Sequence, residues 1–80
     1  MTEFLNKLRN KSAKIEVTHQ IFGKQKIEGK INDILDDNDY YGIVIAGAKI
    51  YCNRKDIHFA INMTNGEITL QDSLMTIKIS

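Results

Sequence analysis

From Lys14 to Ile79 the apolar residues fall in short runs with a period of two, and no stretch between the runs is long enough to hold a crossover helix. Parallel strands need connections of a dozen residues or more, so closely spaced runs must fold as antiparallel strands joined by turns. Thirteen isoleucines, with no proline or tryptophan, fit the same β-rich reading.

The runs can be placed one by one. Ile15, Val17, His19 and Ile21 alternate with Lys14, Glu16, Thr18 and Gln20 in a half-buried first strand that stops at Gly23. Ile27, Gly29 and Ile31 lead on to Ile34 in a second, where Gly29 marks a bend or a close backbone approach. "YYGIVIA" is apolar on both faces, as a central strand would be, and "KIYC" follows after Gly47. In "DIHFAINM" the side chains of Ile57, Phe59, Ile61 and Met63 share a face. Asn65-Gly66 is the strongest short-range hairpin signal, so "EITLQ" should pair back on the fifth strand. After "QDS", the residues Met75, Ile77 and Ile79 form the last apolar face. Ahead of these strands, Thr2 as N-cap, Glu3 in the first turn and the stripe Phe4, Leu5, Leu8 predict a helix over about residues 3–11. The expected fold is α+β, mostly β, in a single domain: an N-terminal helix (1–12), a five-stranded bent antiparallel barrel (13–61) and additional C-terminal strands (62–80).

Eighty residues lie near the lower end of what one hydrophobic core stabilises alone, which favours a partner subunit. The lone Cys52 excludes an internal disulfide framework and fits a reducing, cytoplasmic setting. No apolar run approaches the roughly 18 residues that span a bilayer, so a soluble chain with no membrane partner is expected. The net charge of +1 conceals an asymmetry. Residues 1–30 carry seven Lys or Arg against three acids, and residues 31–80 carry four against seven. Such polarity suits either a basic face for nucleic acid or a solvated surface.

The most acidic stretch, "DDNDYYG" from Asp36 to Gly42, invites a metal reading that fails on spacing. An EF-hand loop begun at Asp37 would place Tyr41 and Ala48 where ligands are required. A polar turn between strands explains the stretch instead. Cys52, His19 and His58 cannot furnish four zinc ligands, so no metal or cofactor is expected. Nucleophilic catalysis would need Cys52 beside a histidine, and strand geometry does not bring His58 to it. No paired carboxylates or phosphate loop occur, and the chain reads as a non-enzyme.

The order of the pieces is informative. "FLNKLR", a strand, Gly23, "KIEGKI", "GIVIAG" and "IYCNRKDIHFA" together resemble the Sm-like RNA-binding family in its bacterial, Hfq-type branch, over about residues 2–61. The resemblance is carried most specifically by Phe4, Leu5, Asn6, Leu8 and Arg9, then by Gly23 with Ile27, Gly29 and Ile31. It implies a short helix before a strongly bent five-stranded barrel, and rings of six or seven subunits in which the fourth strand of one copy pairs with the fifth of the next. It further implies single-stranded RNA binding, with Tyr40 and Tyr41 stacking bases, Asn53 hydrogen bonding, and Arg54 and Lys55 meeting phosphate. Lys7, Arg9 and Lys11 would lie on the basic helix side of the ring. Cys52 and Asn53 stand where that branch carries Lys-His, and Asp36, Asp37 and Asp39 add negative charge to an RNA-facing loop. A hairpin at Asn65-Gly66 folding back on the fifth strand would occupy an edge that ring closure uses. The expected function is therefore Hfq-like RNA binding in riboregulation. The alternative is a protein-interaction or inhibitor module that keeps the barrel, contacts a protein partner through the acidic loop and binds no RNA.

Overall fold

A computed structural model describes residues 2–80. In chain order the elements are α1 (Thr2–Asn6), β1 (Ser12–His19), β2 (Gly23–Asp36), β3 (Tyr40–Ile45), β4 (Ala48–Asn53), a single 3-10 turn (Arg54–Asp56), β5 (His58–Ile61), β6 (Ile68–Gln71) and β7 (Met75–Ile79). All seven strands form one antiparallel sheet in the order β4-β3-β2-β1-β7-β6-β5.

β2 determines the shape. Its first part pairs with β1 as far as Ser12↔Lys30, and its last part pairs with β3 from Ile31↔Ile45 onward. At the crossover the register shifts between Ile31 and Asp33, so Asn32 is an extra residue in a β-bulge. A bulge bends the strand and strengthens its twist. It also explains why the buried side chains of β2 step from Ile31 to Ile34, three positions apart rather than two. The resulting dimensions, 29 × 28 × 25 Å, are those of a sheet curled around its own core. Ile15, Ile31, Ile43, Ile45, Leu70 and Ile77 fill that core, and Leu5 of α1 joins them.

The expectation of a mostly β chain with a short helix and closely connected strands is met. Barrel closure is not: β4 and β5 end the sheet, and neither has a second strand partner among the described residues. Within residues 62–80 two further strands join the same sheet. β7 pairs with β1 from Ile15↔Ile79 to His19↔Met75, and β6 lies between β7 and β5. Ile68, Leu70, Ile77 and Ile79 are buried.

Three local expectations are corrected. The helix ends at Asn6 rather than near residue 11, because Leu8 and Arg9 donate to the carbonyls three residues back. Asn10 then takes a left-handed φ of 67° and donates to the Ile31 carbonyl, which draws the chain onto β2. Thr2 opens α1, but its side chain, expected as the N-cap, lies outside the described residues. Ile21 is not part of β1, since the chain reverses after His19. Met63 falls in the β5–β6 turn and is exposed rather than sharing the face of Phe59. That hairpin pairs as expected, Ile61↔Ile68, but its turn is longer than two residues: Asn62 N–H donates to the Glu67 carbonyl and Gly66 N–H to the Asn62 carbonyl.

The two-residue hairpin turn lies elsewhere, at Ala46-Gly47 between the pair Ile45↔Ala48. Both residues have positive φ, 50° and 79°, as a type I′ turn requires. Alanine is strained there, whereas asparagine is favoured. Gly29 leaves room for the Ala46 methyl, where a Cβ would sit 3.4 Å away. Ala46→Asn should therefore raise unfolding free energy by about 0.5–1 kcal/mol in urea titration. A loss of stability would show that this turn is not the I′ type.

Candidate nucleic-acid interface

The stretch Asp36 to Gly42 is the β2–β3 turn and the start of β3, and Asp37 builds it. Its Oδ1 accepts the N–H groups of Asp39 (2.9 Å) and Tyr40 (2.8 Å), and its own N–H donates to the Tyr40 carbonyl (3.1 Å). Those two side-chain bonds hold the Asp37 carboxyl below its ordinary value, with the Arg54 charge adding to them. The turn is self-contained, and among the described residues no three His, Cys, Asp or Glu side chains converge as a metal site.

Arg54 fastens the following segment to this turn. Its Nη1 donates to Asp36 Oδ1 and to the Asp37 carbonyl (2.7 Å), and its backbone N–H donates to the Asp39 carbonyl (2.9 Å). The guanidinium also stacks 4.8 Å from the Tyr41 ring centroid. Arg54, expected to meet phosphate, is thus engaged with the acidic turn. Tyr41 corrects its own expectation: it points inward from β3 and is only 4% exposed, so its ring offers no open face to a base.

Tyr40 points outward and is 47% exposed. Its neighbour across the ladder is Asn53, whose Oδ1 caps the 3-10 turn by accepting from Lys55 N–H (3.0 Å). The second exposed ring is Tyr51, which the sequence reading overlooked. It is 41% exposed and meets Tyr40 edge-on, with centroids 6.0 Å apart and planes at 70°. Gly42 gives the Tyr51 ring its seat, because a Cβ there would lie 2.9 Å from one ring carbon and 3.2 Å from Leu35 Cβ. Along β4, alternation places Lys49, Tyr51 and Asn53 on this same outer face, while Cys52 points into the core. The signal was present in "AKIYCN", whose period of two separates Tyr51 from Cys52.

The basic residues near the N-terminus lie apart from this face. Lys7, Arg9 and Lys11 follow the end of α1, in the segment leading to β1. Lys7 Nζ stands 5.5 Å from the Phe4 ring centroid, and Arg9 donates to the Ile34 carbonyl (2.8 Å) beside Asp33 (3.5 Å). Lys11 remains exposed. Burial, with the Asp72 charge adding, pushes the Cys52 thiol up to about 12, so it stays protonated and unreactive.

Asp72 anchors the end of β4. From the β6–β7 turn its Oδ2 accepts Asn53 N–H (2.9 Å), and its Oδ1 accepts Leu74 and Met75 N–H (2.8 Å each). Burial opposes ionisation of this carboxyl, but the three N–H donors and the nearby His19 outweigh it, so its pKa lies below the ordinary 3.8. Compared with known protein families, curated proteins and solved structures, the chain gives no match.

Because folding depresses the Asp72 pKa, its stabilisation is fully present above the unfolded value of 3.8 and is lost as pH falls through the lower folded value. Asp72→Asn aims an amide N–H₂ at backbone donors whichever way it is turned. It should cost about 1–3 kcal/mol at neutral pH and flatten the acid side of the stability profile below pH 4. An unchanged urea midpoint would remove Asp72 from this role.

Proposed function

We propose that the chain is an Sm-like RNA-binding protein of post-transcriptional regulation. It holds single-stranded RNA on the outer face of β3 and β4, and its copies assemble through the free edges of β4 and β5. The observation that carries the reading is the Tyr40–Tyr51 corner, a pair of exposed rings seated over Gly42. Lys49 and Asn53 share the β4 face with Tyr51, and Lys55 follows in the 3-10 turn. An aromatic face stacks any base, and lysine meets the phosphate that follows it. Tyr51 thus takes the stacking role that the sequence reading gave to Tyr41, and Lys49 and Lys55 carry the charge that Arg54 spends on its own chain. β6 covers one edge of β5 but leaves the other at the end of the sheet, so pairing of β4 with β5 of the next copy remains open to the fold. A six-membered ring of 9.1 kDa subunits has a mass of about 55 kDa.

A second reading is favoured by one observation: Arg54 is tied to an acidic turn, and Asp36, Asp37 and Asp39 crowd the approach to Tyr40. On that reading the module binds a protein through the turn and binds no RNA.

Titration of oligouridine and oligoadenine by anisotropy, at two salt concentrations, separates the two. Tyr51→Ala should weaken binding about 5- to 150-fold, the worth of one stacked base. Gly42→Ala, which keeps both phenols but unseats the Tyr51 ring, should weaken it in the same direction. Binding that is absent at low salt, or untouched by Tyr40→Ala and Tyr51→Ala, would leave the protein-interaction module as the function.

A further inference from the structure

β4 ends the sheet, and its ladder with β3 fixes which of its backbone groups face outward. Arg54 N–H donates to the Asp39 carbonyl (2.9 Å), one step beyond the pair Tyr40↔Asn53. Antiparallel pairs alternate between bonded and open. Cys52, Ile50 and Ala48 therefore bond to β3, whereas Asn53, Tyr51 and Lys49 direct their backbone groups to the free edge. Asn53 agrees, since its N–H goes to Asp72 Oδ2 (2.9 Å). The backbone N–H and C=O groups of Lys49 and Tyr51 find no partner among the described residues.

A cleft of about 250 Å³ runs along that edge. Lys49, Ile50 and Tyr51 all line it although their side chains alternate between faces, so the cleft lies beside the strand rather than over one face. Val17, Ile27 and Met75 line it from strands that β4 does not pair with, and together with Ile50 they pack against the core. Among the described residues no carboxylate lines the cleft, and Lys49 forms no ion pair. The chain itself shows what this edge accepts. Its β6–β7 segment sets the Asp72 carboxylate on the outward N–H of Asn53 and, three residues on, the Met75 side chain in the cleft.

We propose that β4 captures an extended segment of a partner protein, added antiparallel, in which an apolar residue opposite Ile50 is followed by an acidic residue opposite Lys49. Register dictates that order. Residues directly opposite each other share a face, so the one opposite Ile50 enters the cleft and the one opposite Lys49 meets its ammonium. The backbone of the segment bonds to Tyr51 and Lys49, and its alternate side chain supplies specificity, as in other strand additions. Asp72 closes the edge at Asn53 and the Ala46-Gly47 turn closes it at the other end, so the captured segment is short. Nucleic acid has no ladder of amide donors and acceptors to match this edge. The proposal does not depend on RNA binding. Assembly through β4 would use the same backbone groups, so capture and assembly exclude each other on any one copy.

The test uses a fluorescein-labelled peptide, Lys-Thr-Thr-Leu-Asp-Thr-Lys, followed by anisotropy at low salt. Serine in place of its leucine should weaken binding about tenfold or more. N-methylation of the peptide's aspartate, whose N–H would bond to β4, should also weaken it about tenfold, whereas N-methylation of the leucine, whose N–H points away, should cost little. On the protein, saturating peptide should slow hydrogen exchange at the Lys49 and Tyr51 amides and leave that of Ile50, already bonded to β3, little changed. Lys49→Glu should weaken the peptide by up to about 5-fold and favour a version with lysine in place of the aspartate. Tyr40→Ala should leave peptide binding intact, which separates this edge from the RNA face. Equal effects of the two N-methyl groups, unchanged exchange at Lys49 and Tyr51, or no binding at millimolar peptide would each overturn the proposal. In the last case a solution mass of several subunits would assign the edge to a second copy instead.

Discussion

The change of partner along β2 is the constraint on which the rest depends. One continuous strand serves β1 with its first part and β3 with its last, and the bulge at Asn32 turns it between the two. Without that turn the sheet could not curl, and the isoleucines of β1, β3 and β7 would face no common interior. With it, Ile31 and Ile34 both point inward despite their odd spacing, and β3 and β4 fold over the open side of the sheet. Tyr40 and Tyr51 on the outer face of β3 and β4 are left exposed, as are Ile21 and Phe22 of the β1–β2 turn.

The sheet does not close, and polar contacts take over where strand pairing stops. Arg54 ties the segment after β4 to the acidic β2–β3 turn, and Asp72 ties the end of β4 to the β6–β7 turn. Both are charge-assisted, to backbone groups and, at Asp36, to a carboxylate, and such hydrogen bonds are stronger than neutral ones. Asn53 is held twice at this junction, since its N–H goes to Asp72 and its side chain caps the 3-10 turn by accepting from Lys55 N–H. The charges of the acidic turn thus have a structural use of their own, which accounts for aspartates standing so close to an aromatic surface.

Strand positions and the β5–β6 pairing were largely legible because a period of two shows in single runs such as Ile15 to Val17 or Met75 to Ile79. What was illegible depends on distant contacts. The partner of β7 is β1, across nearly the whole chain, and no local pattern marks that. The helix stops early because Asn10 bonds to Ile31, a contact made only once β2 is in place. At the site, alternation distinguishes Tyr40 from Tyr41 in principle, but a strand apolar on both faces hides which tyrosine is inside. Gly42 acquires its meaning only when the I′ turn sets Tyr51 opposite it.

RNA binding on this face makes a spatial claim as well as a chemical one, and amide chemical-shift mapping with a short oligouridine tests it most directly. The account predicts shifts concentrated at Tyr40, Gly42, Lys49, Tyr51, Asn53 and Lys55, with the core strands β1 and β7 unchanged. Shifts confined to the segment Lys7–Lys11, or none at an oligouridine excess in low salt, would contradict it.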